Sequence, residues 1–223
     1  MTRRPLAVPL TLAAVVLLLS VGAPALQPVG PVVPAAVAAS AVTRYVIVPS
    51  ESEVLYRVDE VLFREGNKLN VAVGRTREVQ GEVVIDRATP RNSRIGTITV
   101  NISTFKSDRA RRDQAIRERW LESARFPKAE FRPEKIEGLP ATYSDGQQLK
   151  LKVTGDLKVR DVTRPTTFDL TVVLRGTTLT GAATATIKMT DFGFDPPSIL
   201  GVLRTEDEAR LELQFVARPP AQN

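Results

Sequence analysis

Over residues 149–160 the chain alternates without a break. Leu149, Leu151, Val153, Gly155, Leu157 and Val159 interleave with Lys150, Lys152, Thr154, Asp156, Lys158 and Arg160. Successive side chains of a strand point to opposite faces, so this run predicts a long strand with one dry and one wet face. Three further runs repeat the pattern. Phe168, Leu170, Val172 and Leu174 oppose Thr167, Asp169 and Thr171. Leu179, Gly181, Ala183, Ala185, Ile187 and Met189 oppose Thr180, Thr184, Thr186 and Lys188, and Ala209, Leu211, Leu213 and Phe215 oppose Glu208, Arg210, Glu212 and Gln214. Consecutive strands that each keep one dry face must stack as two sheets or close on themselves. Strands this long favour a tall barrel, and a barrel of about eight strands has an interior that can hold one small ligand.

The N-terminal half carries the theme less cleanly. Residues 44–48 and 53–63 read as strands, the second with Val54, Tyr56 and Val58 on one face. Residues 78–86 and 95–104 follow, and 128–136 is a weaker strand. Turn signals separate them: Arg64-Glu-Gly-Asn, Ala88-Thr-Pro-Arg-Asn, Ser144-Asp-Gly and Arg175-Gly. The one interruption is helical. Ser107-Asp108 supplies an N-cap signal, residues 108–122 hold good helix formers without Gly or Pro, and Pro127 ends the stretch. Ala110, Ile116, Trp120 and Leu121 form its narrow apolar stripe. The expectation is an all-β, antiparallel barrel of about eight strands with one short α-helix.

The first 41 residues read differently. Arg3 and Arg4 precede an aliphatic run over residues 10–21, and small residues follow with A-x-A sites at Ala23-Pro24-Ala25, Ala36-Val37-Ala38 and Ala39-Ser40-Ala41. That order predicts a secretory signal peptide, with Pro28, Pro31 and Pro34 in an extended spacer before the barrel domain of residues 42–220. An uncleaved anchor is the alternative, although the apolar run is short for a span. The expected location is therefore periplasmic or secreted.

Composition removes several chemistries. The 223 residues include no Cys and no His. Disulfides, lipid attachment through Cys, Ser-His or Cys-His nucleophiles and zinc sites built on imidazole or thiolate are all excluded. Residues 1–41 hold two basic and no acidic residues, so the remainder has 29 basic against 25 acidic, a net charge of +4. This excess is too small to argue for nucleic acid. Asp156, Asp161, Asp191 and Asp195 lie beside Gly, Pro or Thr in turn-like contexts, where Asp accepts backbone hydrogen bonds. A glycosidase-like carboxylate pair is the catalytic alternative.

Several ordered motifs then carry a resemblance. Phe105-Lys-Ser-Asp, Arg112-Asp113 and Arg125-Phe-Pro-Lys-Ala-Glu-Phe131 resemble the helix and following strand of the YceI-like family. Gly155-Asp-Leu-Lys-Val-Arg-Asp-Val-Thr163-Arg-Pro resembles its central signature, and Ile187-Lys-Met-Thr-Asp-Phe-Gly193-Phe the turn before the final strands. The resemblance covers most of residues 43–217. It implies a lipocalin-like extended barrel, exported to the periplasm, whose lumen holds a polyisoprenoid or a related amphiphile such as an isoprenoid quinone. The preferred function is accordingly non-catalytic binding, with no cofactor or metal expected. Many members carry a His in the first hairpin, whereas Ser52-Glu-Val-Leu-Tyr-Arg-Val here has none, so a head-group contact of that kind is missing.

The residues expected to contact the ligand are Tyr56, Val58, Phe168, Leu170, Val172, Ala183, Ala185, Leu213 and Phe215, from the apolar faces of alternating strands. Phe105, Trp120, Phe131, Ile187 and Phe192 join them from the motifs and the helix end. Trp120, Phe126 and Phe131 can plug a barrel mouth as ordinary core, wall a pocket, or do both. The small residues Gly155, Gly181, Ala183 and Ala185 leave room for a ligand where a filled core would place bulk, although filled barrels also alternate large and small. Residues 106–128 carry eight basic and four acidic side chains, as much as the whole excess after residue 41. They form either a solvated helix face or a patch, centred on Arg109, Arg112 and Arg117, that docks on an anionic membrane. A homodimer is compatible with the chain. The rival functions are a ligand-free structural or stress-related envelope barrel and a carboxylate- or Lys-based enzyme in the same cavity.

Overall fold

The computed structural model describes residues 42–221. The expected signal peptide and spacer lie outside the described residues. The elements are β1 (Val42–Ile47), β2 (Glu53–Leu62), β3 (Lys68–Thr76), β4 (Val79–Gln80), β5 (Glu82–Asp86), β6 (Arg94–Ile95) and β7 (Ile98–Asn101). After them come α1 (Ala110–Ala115), β8 (Lys128–Glu137), β9 (Gln148–Val159), β10 (Val162–Arg175), β11 (Thr178–Lys188), β12 (Ser198–Ile199) and β13 (Leu203–Arg218).

The pairings gather these segments into eight long antiparallel strands, and the curled sheet returns to its start. β1 and β2 run in line along β13, with Ile47 opposite Ala217 and Glu53 opposite Gln214. β3 pairs with β2, and β5 with β1, so β3, β4 and β5 make the second long strand. β6 and β7 make the third, against β5 and β4. β8, β9, β10, β11 and β13 each pair with the preceding long strand, and β13 completes the ring on β1 and β2. This is the closed antiparallel barrel of about eight strands expected from the alternation. One gap remains among the described residues: β3 has no ladder with β7 and meets the segment after it through a single bridge, Arg75 to Lys106.

The interruptions have local causes. Between β4 and β5 a Cβ on Gly81 would lie 2.4 Å from the Ile98 Cδ1, so a side chain there would have to displace the tip of Ile98. The expected strand over residues 95–104 is correspondingly split. Its end, Ile102–Thr104, becomes a 3-10 turn capped by Asn101, whose side chain accepts from the Ser103 N–H at 3.2 Å.

Sequence patterning missed β3. Its apolar residues point outward, with Leu69 80% and Val71 49% exposed, while Asn70, Ala72 and Gly74 share the inner parity. The Tyr56 ring occupies the inner position at Gly74, where a Cβ would sit 2.1 Å from a ring carbon. The strand therefore inverts the dry-face signature on which recognition depends.

The helix is shorter than expected. α1 ends at Ala115 and continues as a π turn over Ile116–Trp120, closed by the Leu121 N–H donating to the Ile116 carbonyl at 2.8 Å. Arg109 is the N-cap and makes no side-chain capping bond; Ser107 instead gives both its N–H and hydroxyl to Asp113 Oδ1, at 2.9 and 2.6 Å. Ala110, expected in the apolar stripe, is exposed, whereas Ile116, Trp120 and Leu121 face the barrel interior.

Candidate functional site

Inward parity on the long strands builds one apolar cavity of about 300 Å³ inside the ring. That lies near the lower end of the range for small-molecule pockets, roughly 300–1,000 Å³. The cavity runs between the two ends of the barrel. At one end its wall includes Arg87, Ser93, Arg94 and Tyr143; at the other it includes Ile116, Trp120, Leu121, Phe194 and Pro197.

Of the ligand residues expected from sequence, Tyr56, Val58, Phe105, Trp120, Phe131, Phe168, Leu170, Val172, Ala183, Ile187, Leu213 and Phe215 line this cavity. Two do not. Phe192 is 2% exposed within the Thr190–Phe192 turn and packs into the wall; Ala185, 7% exposed, has the inner parity but does not border the open space. The reading of the small residues is also corrected. A Cβ on Gly155 would lie 2.2 Å from the Arg132 carbonyl oxygen, and one on Gly181 2.8 Å from the Phe215 ring, so neighbours already fill both positions. Only Ala183 of the four opens on the cavity. Sequence reasoning missed the contribution of the N-terminal strands: Ile47, Val83, Ile85, Ile98 and Val100 also line it. The alternation of Ile98 with Val100 carried that signal within a short run.

The aromatic residues are packed in pairs. Phe131 meets Phe168 edge-on, with centroids 4.7 Å apart, and Tyr56 meets Phe105 at 5.2 Å. Burial pushes the Tyr56 phenol well above its ordinary value near 10, against the opposing effect of Arg112. It is a neutral wall group at physiological pH. At the Arg87 end, the guanidinium donates to the Tyr45 hydroxyl at 3.2 Å and to the Gly176 carbonyl, and the hydrogen bond to Tyr45 raises its pKa. Tyr143 donates to the Leu174 carbonyl, and burial raises its pKa also.

The helix is fastened by charge. Arg112 donates to Glu60 of β2 at 2.6 Å, with side-chain exposures of 11% and 2%, and also pairs with Asp108. Glu60 accepts a second bond from the Asn70 amide at 2.7 Å. Arg112 is therefore a buried anchor, and it leaves the expected membrane-docking set. Arg109 is exposed but pairs with Glu65 at 3.0 Å, and Arg117 is half-buried. Beyond the helix, Arg160 pairs with Glu122, reaches the Trp120 carbonyl at 3.4 Å and lies 5.9 Å from the centroids of both Phe126 and Phe194. It ties the helix end to the strap before β12. Among the described residues no cluster of three or more acidic side chains is placed to hold a metal.

A closed antiparallel ring around an apolar cavity defines a lipocalin-like barrel. More narrowly, the chain belongs to the YceI-like domain family, whose model matches residues 45–217. It is similar to the solved structure of BcnA from Burkholderia cenocepacia: 20% identity, 76% of this chain and 98% of that one covered, TM-score 0.59. A polyisoprenoid binding domain from Saccharophagus degradans, implicated in plant cell wall breakdown, matches at 12% identity over 80% of this chain and 99% of that one, TM-score 0.56. The YceI protein of Campylobacter jejuni matches at 18% identity over 64% and 82%, TM-score 0.51. Among curated protein sequences none matches significantly.

Proposed function

We propose that the barrel holds a lipid-like apolar chain, a polyisoprenoid, isoprenoid quinone or related amphiphile, and carries or stores it in the cell envelope without catalysis. The observation that carries this reading is the cavity of about 300 Å³, whose wall between the barrel ends is almost wholly hydrocarbon and aromatic. Each methylene moved there from water contributes about 0.8 kcal/mol, so ~12 carbons supply roughly 10 kcal/mol before association costs. Association costs come off this sum, and each further methylene buried adds to it. The polyisoprenoid binding domain among the similar structures supports the same ligand class. The charged groups near the cavity serve the scaffold: Glu60 and Arg112 bind each other, and Arg87 binds Tyr45 and a backbone carbonyl.

Envelope placement belongs to this proposal, through the signal-like residues 1–41, as does contact with an anionic membrane through the basic helix. Native mass spectrometry of protein taken from its producing cells tests the binding. A co-purifying lipid mass is expected. A compact, empty barrel would instead favour the structural role, and turnover of a lipid ester or glycoside would favour the enzyme.

A further inference from the structure

Four of the six exposed large apolar side chains among the described residues lie at one end of the barrel. Leu200 is 100% exposed, Leu69 80%, Phe63 40% and Ile199 38%. They come from two neighbouring hairpin tips. The β2–β3 tip turns through Gly66 and Asn67, and the β12–β13 tip through Gly201, all with positive φ. The two are joined side by side: the Phe63 N–H donates to the Val202 carbonyl at 2.9 Å, and Leu62 lies opposite Leu203. Apolar groups clustered at a tip, rather than scattered singly, mark a surface that another body covers.

Charge points to the body. Arg64, Lys68 and Arg204 flank the tips and are exposed, and Arg109 and Arg111 of the adjoining helix segment are exposed as well. Arg64, Arg111 and Arg204 have no ion-pair partner among the described residues, while Glu65 beside them is engaged by Arg109 and Lys68. An apolar tip flanked by three unpaired arginines fits the interface of an anionic bilayer, where hydrocarbon enters and basic side chains meet head groups. The same strap connects this tip to the cavity: Phe194 and Pro197 line the interior, and Ile199 and Leu200 follow on the outside.

We infer that the paired tips bearing Phe63, Leu69, Ile199 and Leu200 insert into an anionic lipid bilayer and set the Trp120 end of the cavity against it. This gives the proposed ligand a route, but it rests on the surface alone and is tested without reference to bound lipid.

The chain has no cysteine, so Leu200→Cys in the full chain can carry a single environment-sensitive fluorophore. Asn92→Cys, exposed at the opposite end, carries the same label as the control. On phosphatidylcholine vesicles containing phosphatidylglycerol, the label at 200 is expected to brighten and shift blue while the label at 92 does not. Because the signal is local, attachment through residues 1–41 does not reproduce it. Adding Arg64→Gln and Arg204→Gln should raise the vesicle concentration needed by roughly thirtyfold, from about 1 kcal/mol per basic residue, and added salt should act in the same direction. An unchanged label at 200 on such vesicles overturns the inference. A blue shift that grows with protein concentration without vesicles also overturns it, in favour of a second copy covering the tip. Lipid mass in the cavity is measured separately, so its absence would count against the proposed function and not against insertion.

Discussion

The carboxylate of Glu60 receives Arg112 at 2.6 Å in a setting where neither side chain reaches solvent freely. This pair joins the helix segment to β2 across the part of the ring where β3 meets the segment after β7 through only one bridge. Removing one partner strands a buried charge, so Arg112→Ala is expected to cost about 3–5 kcal/mol. Replacing both by apolar residues of similar volume should cost much less. Urea unfolding of the single and double variants checks the difference; equal losses would mean that the helix, not the charge, is what matters.

Trp120 is the only tryptophan of the chain and lines the cavity at the helix end. Its emission therefore reports the contents of the cavity. Extraction of lipid is expected to shift that emission red as water enters, and re-addition of a long-chain isoprenoid to reverse the shift. Arg160→Ala frees the Trp120 carbonyl and Glu122 together, and should speed the exchange of ligand more than it weakens binding. Stopped-flow measurement of the Trp120 signal separates the two effects.

The raised pKa of Tyr56 has a stability consequence at alkaline pH. Its folded value lies above the ordinary one near 10, so the neutral phenol is the form that the fold favours. That contribution is complete below pH 10 and is lost as pH climbs above it toward the folded value. Stability should thus be level from neutrality to about pH 10 and fall beyond. Tyr56→Phe is expected to flatten the fall, and melting temperatures of the two proteins across that range decide it. Tyr143, shifted the same way by burial, adds a smaller slope that remains in the variant.

How much of this was legible in the sequence depended on how long each pattern ran. β9, β10, β11 and β13 are each longer than ten residues and kept strict alternation, so their faces and the cavity residues Phe168, Leu170, Ala183 and Leu213 could be read directly. β3 could not, because Leu69 and Val71 face outward and Gly74 yields its place to Tyr56. Burial of individual groups was equally hidden. Nothing in the spacing of Arg109, Arg112 and Arg117 says that the middle one turns inward to Glu60, since that pairing spans 52 residues. A glycine on a dry face reads as space, yet only three-dimensional neighbours show whether the space is empty.

That distinction yields the sharpest test. Ala183 opens on the cavity, whereas Gly155 faces the Arg132 carbonyl and Gly181 the Phe215 ring and the Thr171 carbonyl. Adding atoms at the three positions should therefore have opposite consequences. Ala183→Leu projects into open volume and is expected to leave the thermal midpoint nearly unchanged while reducing bound lipid, because it occupies the space that the chain would fill. Gly155→Ala places a methyl against backbone that cannot swing aside, and overpacking of this kind costs about 1–3 kcal/mol. Gly181→Ala meets a ring on one side and a carbonyl 2.7 Å away on the other, so it should destabilise as well and keep its lipid. Melting curves and lipid extraction on the same three proteins read both quantities. If Ala183→Leu lowers the midpoint as much as Gly155→Ala and its lipid content stays constant, position 183 is ordinary packing and the ligand lies elsewhere in the barrel.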